Sequence, residues 1–132
     1  MIVSSTFLRR ALIADAVFSG LGAVGMAVGA DMLAPLLSLP EALLRETGLV
    51  LIAYTALVGW LGSRSAMPRP LVMLVIAINA AWTVASIALL FSDAASPNLP
   101  GEAFVVSQAI ATSVLAELQY VGLRRSGDTV AA

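Results

Sequence analysis

The chain has 132 residues, of which 60% are apolar and only 11% charged, with a net charge of −1 and no cysteine or histidine. A soluble domain carries about 25% charged residues, so the excess apolar surface must face lipid, and the charge leaves no electrostatic footprint for nucleic acid. The residue types that are missing, lysine among them, exclude disulfides, thiol redox centres, zinc–thiolate sites, His or Cys haem ligation, Ser-His-Asp triads and Schiff-base chemistry.

Four segments match the roughly 20 apolar residues that a helix needs to cross a bilayer. They run over about 11–30, 47–63, 71–91 and 103–123, in one domain covering 1–132. The expectation is an all-α polytopic membrane protein, a bundle of four transmembrane helices. Between the first two spans, 32–39 is apolar but interrupted by Pro35, which suggests a segment lying along the membrane surface. Ser38 and Glu41 have the spacing of a capping box, and Arg45 follows Glu41 as an i,i+4 pair. Met67-Pro68-Arg69-Pro70 and Ser96-Pro97-Asn98-Leu99-Pro100-Gly101 punctuate the chain before the third and fourth spans.

Arginine sets the orientation. Arg9, Arg10, Arg64, Arg69, Arg124 and Arg125 fall at junctions that alternate spans must place on one side; Arg45 is the exception. Asp31, Glu41, Glu46, Asp93 and Glu102 fall on the other. The positive-inside rule then puts both termini in the cytoplasm, N-in and C-in, of a multi-pass membrane protein. Trp60 and Tyr120 each precede an arginine by four residues, as an interfacial aromatic belt requires. A cleaved signal peptide is the competing reading of the first span, with Val28-Gly29-Ala30 before Asp31 as its cleavage site; the length of the apolar run and Asp15 within it argue against that. Leu39-Pro40 and Leu99-Pro100, with Trp60, Gly62 and Arg64 echoed by Tyr120, Gly122 and Arg124, also allow two weakly repeated helical hairpins.

Helices in lipid associate through small residues and interhelical hydrogen bonds. The stripes to be expected inward are Asp15, Ser19, Gly22, Met26 and Gly29 in span one, and Gly48, Thr55, Gly59 and Gly62 in span two. Span three offers Asn79, Thr83 and Ser86; span four offers Ser113, Glu117 and Tyr120, with Gln108 and Thr112 on a neighbouring stripe. Gly22, Gly25, Gly29, Gly59 and Gly62 are the expected packing positions, Gly25 and Gly29 forming a GxxxG step. The same stripes could serve a homo-oligomer or a larger membrane complex.

Two acids fall inside the spans. Counted from Arg10 and Arg124 at 1.5 Å per residue, Asp15 lies about 7 Å and Glu117 about 10 Å from the arginine side, with Asn79 about 15 Å in. A membrane carboxylate is expensive and faces a partner or a wet cavity. On the functional reading, Asp15 and Glu117 line a pocket that binds a cation or passes protons, with Asn79, Ser19, Thr83, Ser113 and Tyr120 around it. On the structural reading, the acids reach the interface or pair with Arg64, Arg69 or Arg124. No metal-ligand constellation and no cofactor motif accompanies them, and no nucleophile–base arrangement points to an enzyme.

The stretches Leu39-Pro40-Glu41-Ala42-Leu43-Leu44-Arg45, Asn79-Ala80-Ala81-Trp82 and Ala116-Glu117-Leu118-Gln119-Tyr120 resemble those of a group of small uncharacterised bacterial membrane proteins. That resemblance implies the four-helix fold and a bacterial inner membrane, with no activity. In size, helix count and an acid in helix one, at Asp15, the chain is also superficially similar to small multidrug resistance transporters. It departs from them in the shallow place of Asp15 close behind Arg10, its long first outer loop, its strong arginine bias and the lack of their aromatic signature in helix three. The expectation is a non-enzymatic subunit, accessory or lipid- or small-molecule-binding bundle. The alternative is a proton-coupled small-molecule or cation transporter using Asp15 and Glu117.

Overall fold

The computed structural model describes residues 1–92 and 96–128, so Asp93 lies outside the described residues. Among the described residues the regular structure is helical apart from three two-residue strands. Its helices are α1 (Thr6–Val28), α2 (Ala30–Leu37), α3 (Glu41–Gly62), α4 (Arg69–Leu90) and α5 (Leu99–Arg125). All but α2 are long and apolar enough to cross a membrane.

The four long helices start before the apolar segments, and polar caps carry α1 and α5 outward. Ser5 accepts a hydrogen bond from the Leu8 amide (3.1 Å) and starts α1 five residues before the apolar run. Asn98 accepts from the Gly101 amide (2.8 Å) and starts α5, whose last turn holds Arg124 and Arg125 against the negative end of the helix dipole. The capping box expected at Ser38 does not form. Ser38 takes a left-handed conformation (φ 52°) that closes α2, and Pro40 occupies the cap position of α3. Pro35 lies inside α2 and does not interrupt it. The Glu41–Arg45 pair forms at 2.8 Å.

α1 packs along α3, α4 packs along α5, and contact between α1 and α5 joins the two pairs. The closest crossings are at glycines. A Cβ on Gly48 would strike the Ala27 backbone amide and sit 2.9 Å from the Ala23 carbonyl, so α3 rides directly on α1. A Cβ on Gly122 would sit 2.7 Å from Leu8 Cα, which fixes α5 against α1. Gly62, pressed against Ile13 and Leu12, meets its expected packing role. Gly22 and Gly59 make only ordinary contacts, Gly29 turns back on Gly25 of its own helix, and Gly25 faces open space. The GxxxG step therefore marks the end of α1 and not a helix crossing.

Short strands tie one end together. β1 (Ile2–Val3) lies between β2 (Ala66–Met67) and β3 (Gly127–Asp128), antiparallel to both, with Ile2 opposite Met67 and Asp128. Ile2 and Met67 turn into the core with Leu8, Leu12, Leu61 and Val72. The start of the chain, the α3–α4 connection and the segment after α5 thus meet at one end, the end that carries Arg9, Arg64 and Arg125. At the opposite end α2 seals against the start of α5, where Asn98 Nδ2 donates to the Leu36 carbonyl (2.9 Å). The polarity is inside out relative to a soluble protein. Leu21, Val28, Val84 and Ile110 are exposed, while Asp15, Ser19, Asn79, Ser86, Thr112 and Gln119 are buried.

Candidate functional site: a four-helix carboxylate cluster beside an aromatic cleft

Asp15 is the centre of the bundle. Nine residues beyond Thr6, at 1.5 Å per residue, it stands about 14 Å along α1 and is fully buried. Four donors converge on it. Ser19 Oγ, one turn further on α1, donates to Oδ1 (2.7 Å). Tyr54 OH from α3 (2.6 Å), Asn79 Nδ2 from α4 (2.9 Å) and Gln119 Nε2 from α5 (2.7 Å) all donate to Oδ2. Asn79 Nδ2 also donates to Gln119 Oε1 (2.9 Å), so the two amides brace each other. Every membrane-length helix contributes a side chain, and the four donors to the carboxylate, one on Oδ1 and three on Oδ2, are all neutral groups.

Several expectations change here. Glu117 does not join Asp15. It is exposed on α5, two residues and about 200° of helical rotation from Gln119. Nor does arginine pair with Asp15: Arg64 lies over the Trp60 ring (4.9 Å), Arg124 over Tyr120 (5.9 Å) and Arg125 over Phe7 (4.7 Å). Tyr120 is exposed and accepts from Arg124 Nη1 (3.4 Å), as a belt residue outside the cluster. Ser113 faces a shallow groove of about 350 Å³ between α4 and α5, away from Asp15. Thr83 stands next to the cluster without touching Asp15. Its hydroxyl shares a hydrogen bond with Thr112 Oγ1 (2.7 Å) and reaches the Asn79 carbonyl (3.1 Å), which clamps α4 to α5. Ser19 and Asn79 are where the sequence placed them.

Tyr54 and Gln119 were not anticipated. The buried face of α5 runs through Val105, Ala109, Thr112, Leu115, Gln119 and Gly122, which is the neighbouring stripe in the sequence, and Gln119 sits on it. Tyr54 had its own signal. It lies mid-span, far from the belt where a tyrosine hydroxyl would meet water, so its hydroxyl needs a buried partner.

A cavity of about 360 Å³ adjoins the cluster. Ser19, Tyr54 and Asn79 form part of its wall and separate it from Asp15. Phe18, Trp82 and Phe104 add aromatic surface, and the exposed Leu21 and Ser107 mark its edge toward lipid on α1 and α5. A second cavity of about 270 Å³ lies toward the α2 end, against Leu39, Leu43 and Leu44. Trp82, Phe104 and Gln108 line both cavities. Trp82 Nε1 donates to Gln108 Oε1 at 3.5 Å, a long contact. Among the described residues no group of three acidic, histidine or cysteine side chains gathers as a metal site.

Comparison with protein-family models, with curated proteins and with solved structures finds no match to this chain.

Proposed function

We propose that the protein is a non-enzymatic membrane bundle that holds a lipid-like or small apolar molecule between its helices. The observation that supports this reading most is the 360 Å³ aromatic cavity set against a fully hydrogen-bonded polar cluster. Ligand sites are mostly apolar concavities of about 300–1,000 Å³ with a few fixed polar groups. The exposed residues at the cavity's edge belong to the lipid-facing surface, so an apolar molecule enters from the bilayer without crossing water. In this reading the arginine end faces the cytoplasm of a bacterial inner membrane, with both termini there. The pairing of α1 with α3 and α4 with α5 is compatible with two helical hairpins, and the resemblance to small bacterial four-helix membrane proteins belongs to the same proposal.

Binding is tested with Trp82 as reporter. A W60F variant leaves it the remaining tryptophan of the two. In nanodiscs, 1-bromododecane should quench Trp82 with a saturable component. Replacing Gly22, which lines the cavity, by phenylalanine should remove that component. Linear quenching, identical in both proteins, would mean partition into the bilayer alone and would end the reading.

A second reading keeps proton coupling, with Asp15 acting without Glu117. It is favoured by the position of Asp15, an acid buried at the centre of the bundle, since ionisable side chains inside a membrane mark ion and proton paths. Proton-coupled uptake that disappears in a folded D15N variant would place this reading first.

A further inference from the structure

Resting on the proposed binding cleft, the chemistry of its walls narrows the class of occupant. The cleft offers a cation no carboxylate from Asp15, which is fully buried and held by Ser19, Tyr54, Asn79 and Gln119. Tyr54 and Asn79 reach the cavity wall with their donors already turned toward that carboxylate. Gln108 is different. Its Oε1 accepts from Trp82 Nε1, which turns the amide so that Nε2 points elsewhere, and among the described residues Nε2 has no partner. The residue lines both cavities at the partition between them. Ser107 Oγ, one residue earlier on the edge of the larger cavity, likewise makes no hydrogen bond among the described residues. Gln108 lines an apolar cleft, where a donor without a partner is costly and an acceptor oxygen on an occupant would satisfy it.

We infer that the cleft binds a neutral, apolar molecule bearing a carbonyl-type acceptor oxygen, and that Gln108 Nε2 is the group that recognises it. The aromatic walls at Phe18, Trp82 and Phe104 receive the apolar body. Gln108 distinguishes such a molecule from a plain hydrocarbon of equal length. The carbonyl could belong to a lipid-type ester or to a free ketone, and the probes separate these sources.

The experiment uses the full chain with W60F in nanodiscs and displaces 1-bromododecane from Trp82. The competitors are tridecane, 2-tridecanone, methyl laurate and dodecyltrimethylammonium. One neutral hydrogen bond predicts that the better carbonyl compound displaces at roughly three- to tenfold lower concentration than tridecane. A ketone that outperforms the ester would indicate a free carbonyl ligand; the reverse order would indicate a lipid. Q108L should erase the carbonyl advantage and leave tridecane unchanged. The comparison within the wild-type pocket stands even if Q108L fails to fold. Equal displacement by alkane and carbonyl compounds, or strongest displacement by the ammonium, overturns the inference while leaving the cleft as a binding site. Absence of saturable bromododecane binding overturns both.

Discussion

At the scale of the residue, removing the Asp15 carboxylate would strand Ser19, Tyr54, Asn79 and Gln119, whose hydrogen bonds to it measure 2.6–2.9 Å. Hydrogen bonds to a charged group are worth about 1.5–3 kcal/mol in water-soluble proteins, and interhelical bonds in membranes average only about 0.6 kcal/mol. D15A is therefore expected to lower bundle stability by roughly 2–4 kcal/mol, read by unfolding in mixed micelles; a loss below about 0.5 kcal/mol would show that the cluster does not hold the helices. Y54F alone should cost about 1 kcal/mol. Added to D15A it should cost almost nothing further, because its hydroxyl has already lost its acceptor, and full additivity would refute that coupling. Glu117→Gln, at an exposed position, should stay within about 0.5 kcal/mol of the parent protein. The contrast between the two acids shows what was legible. Asp15 was identifiable because a charge in a span demands partners. The same rule singled out Glu117 wrongly, because the charge was allowed to choose the inward face of its helix. The small and amide-bearing stripe through Thr112, Gln119 and Gly122 held that information instead.

At the scale of the element, hydropathy alone located all four long helices, since their length is imposed by the bilayer. All four start before the apolar runs, with Ser5 and Asn98 capping the starts of α1 and α5, while α1, α3 and α4 end one or two residues short of them. The strands were invisible, because two residues carry no periodicity to read. Glycine positions show the same limit: a GxxxG spacing says that a backbone could approach, and not that one does. G48V is expected to destabilise by about 3 kcal/mol or more, since the added carbons meet α1 backbone that has no rotamer to yield. Gly25→Ala, with open space around its Cβ, should be neutral or stabilising by up to about 1 kcal/mol through helix propensity. Thermal unfolding of the two variants checks both signs. If G25A loses as much as G48V, then Gly25 faces a partner in an assembly larger than this chain.

At the scale of the whole molecule, the sheet supplies a constraint that charge counting lacks. By pairing Ile2 with Met67 and Asp128, it requires the first strand, the α3–α4 connection and the segment after α5 to share one side of the bilayer. The arginines then decide which side that is. Six of the seven gather at the sheet end or its junctions, and Arg45 at the far end is neutralised by Glu41. On the proposed reading, the positive-inside rule predicts from that asymmetry an orientation with the sheet in the cytoplasm. The chain has no native cysteine, so single cysteines report position cleanly. In right-side-out vesicles a membrane-impermeant maleimide should label S96C, at the exposed entry to α5, and leave S65C, exposed beside the sheet, unlabelled until the membrane is permeabilised. Labelling of S65C alone would invert the molecule and overturn the arginine argument. Comparable labelling of both sites would mean that the chain inserts in two orientations. An antiparallel pair of copies would then place one cleft toward each leaflet, and the binding site would have to be sought in that pair.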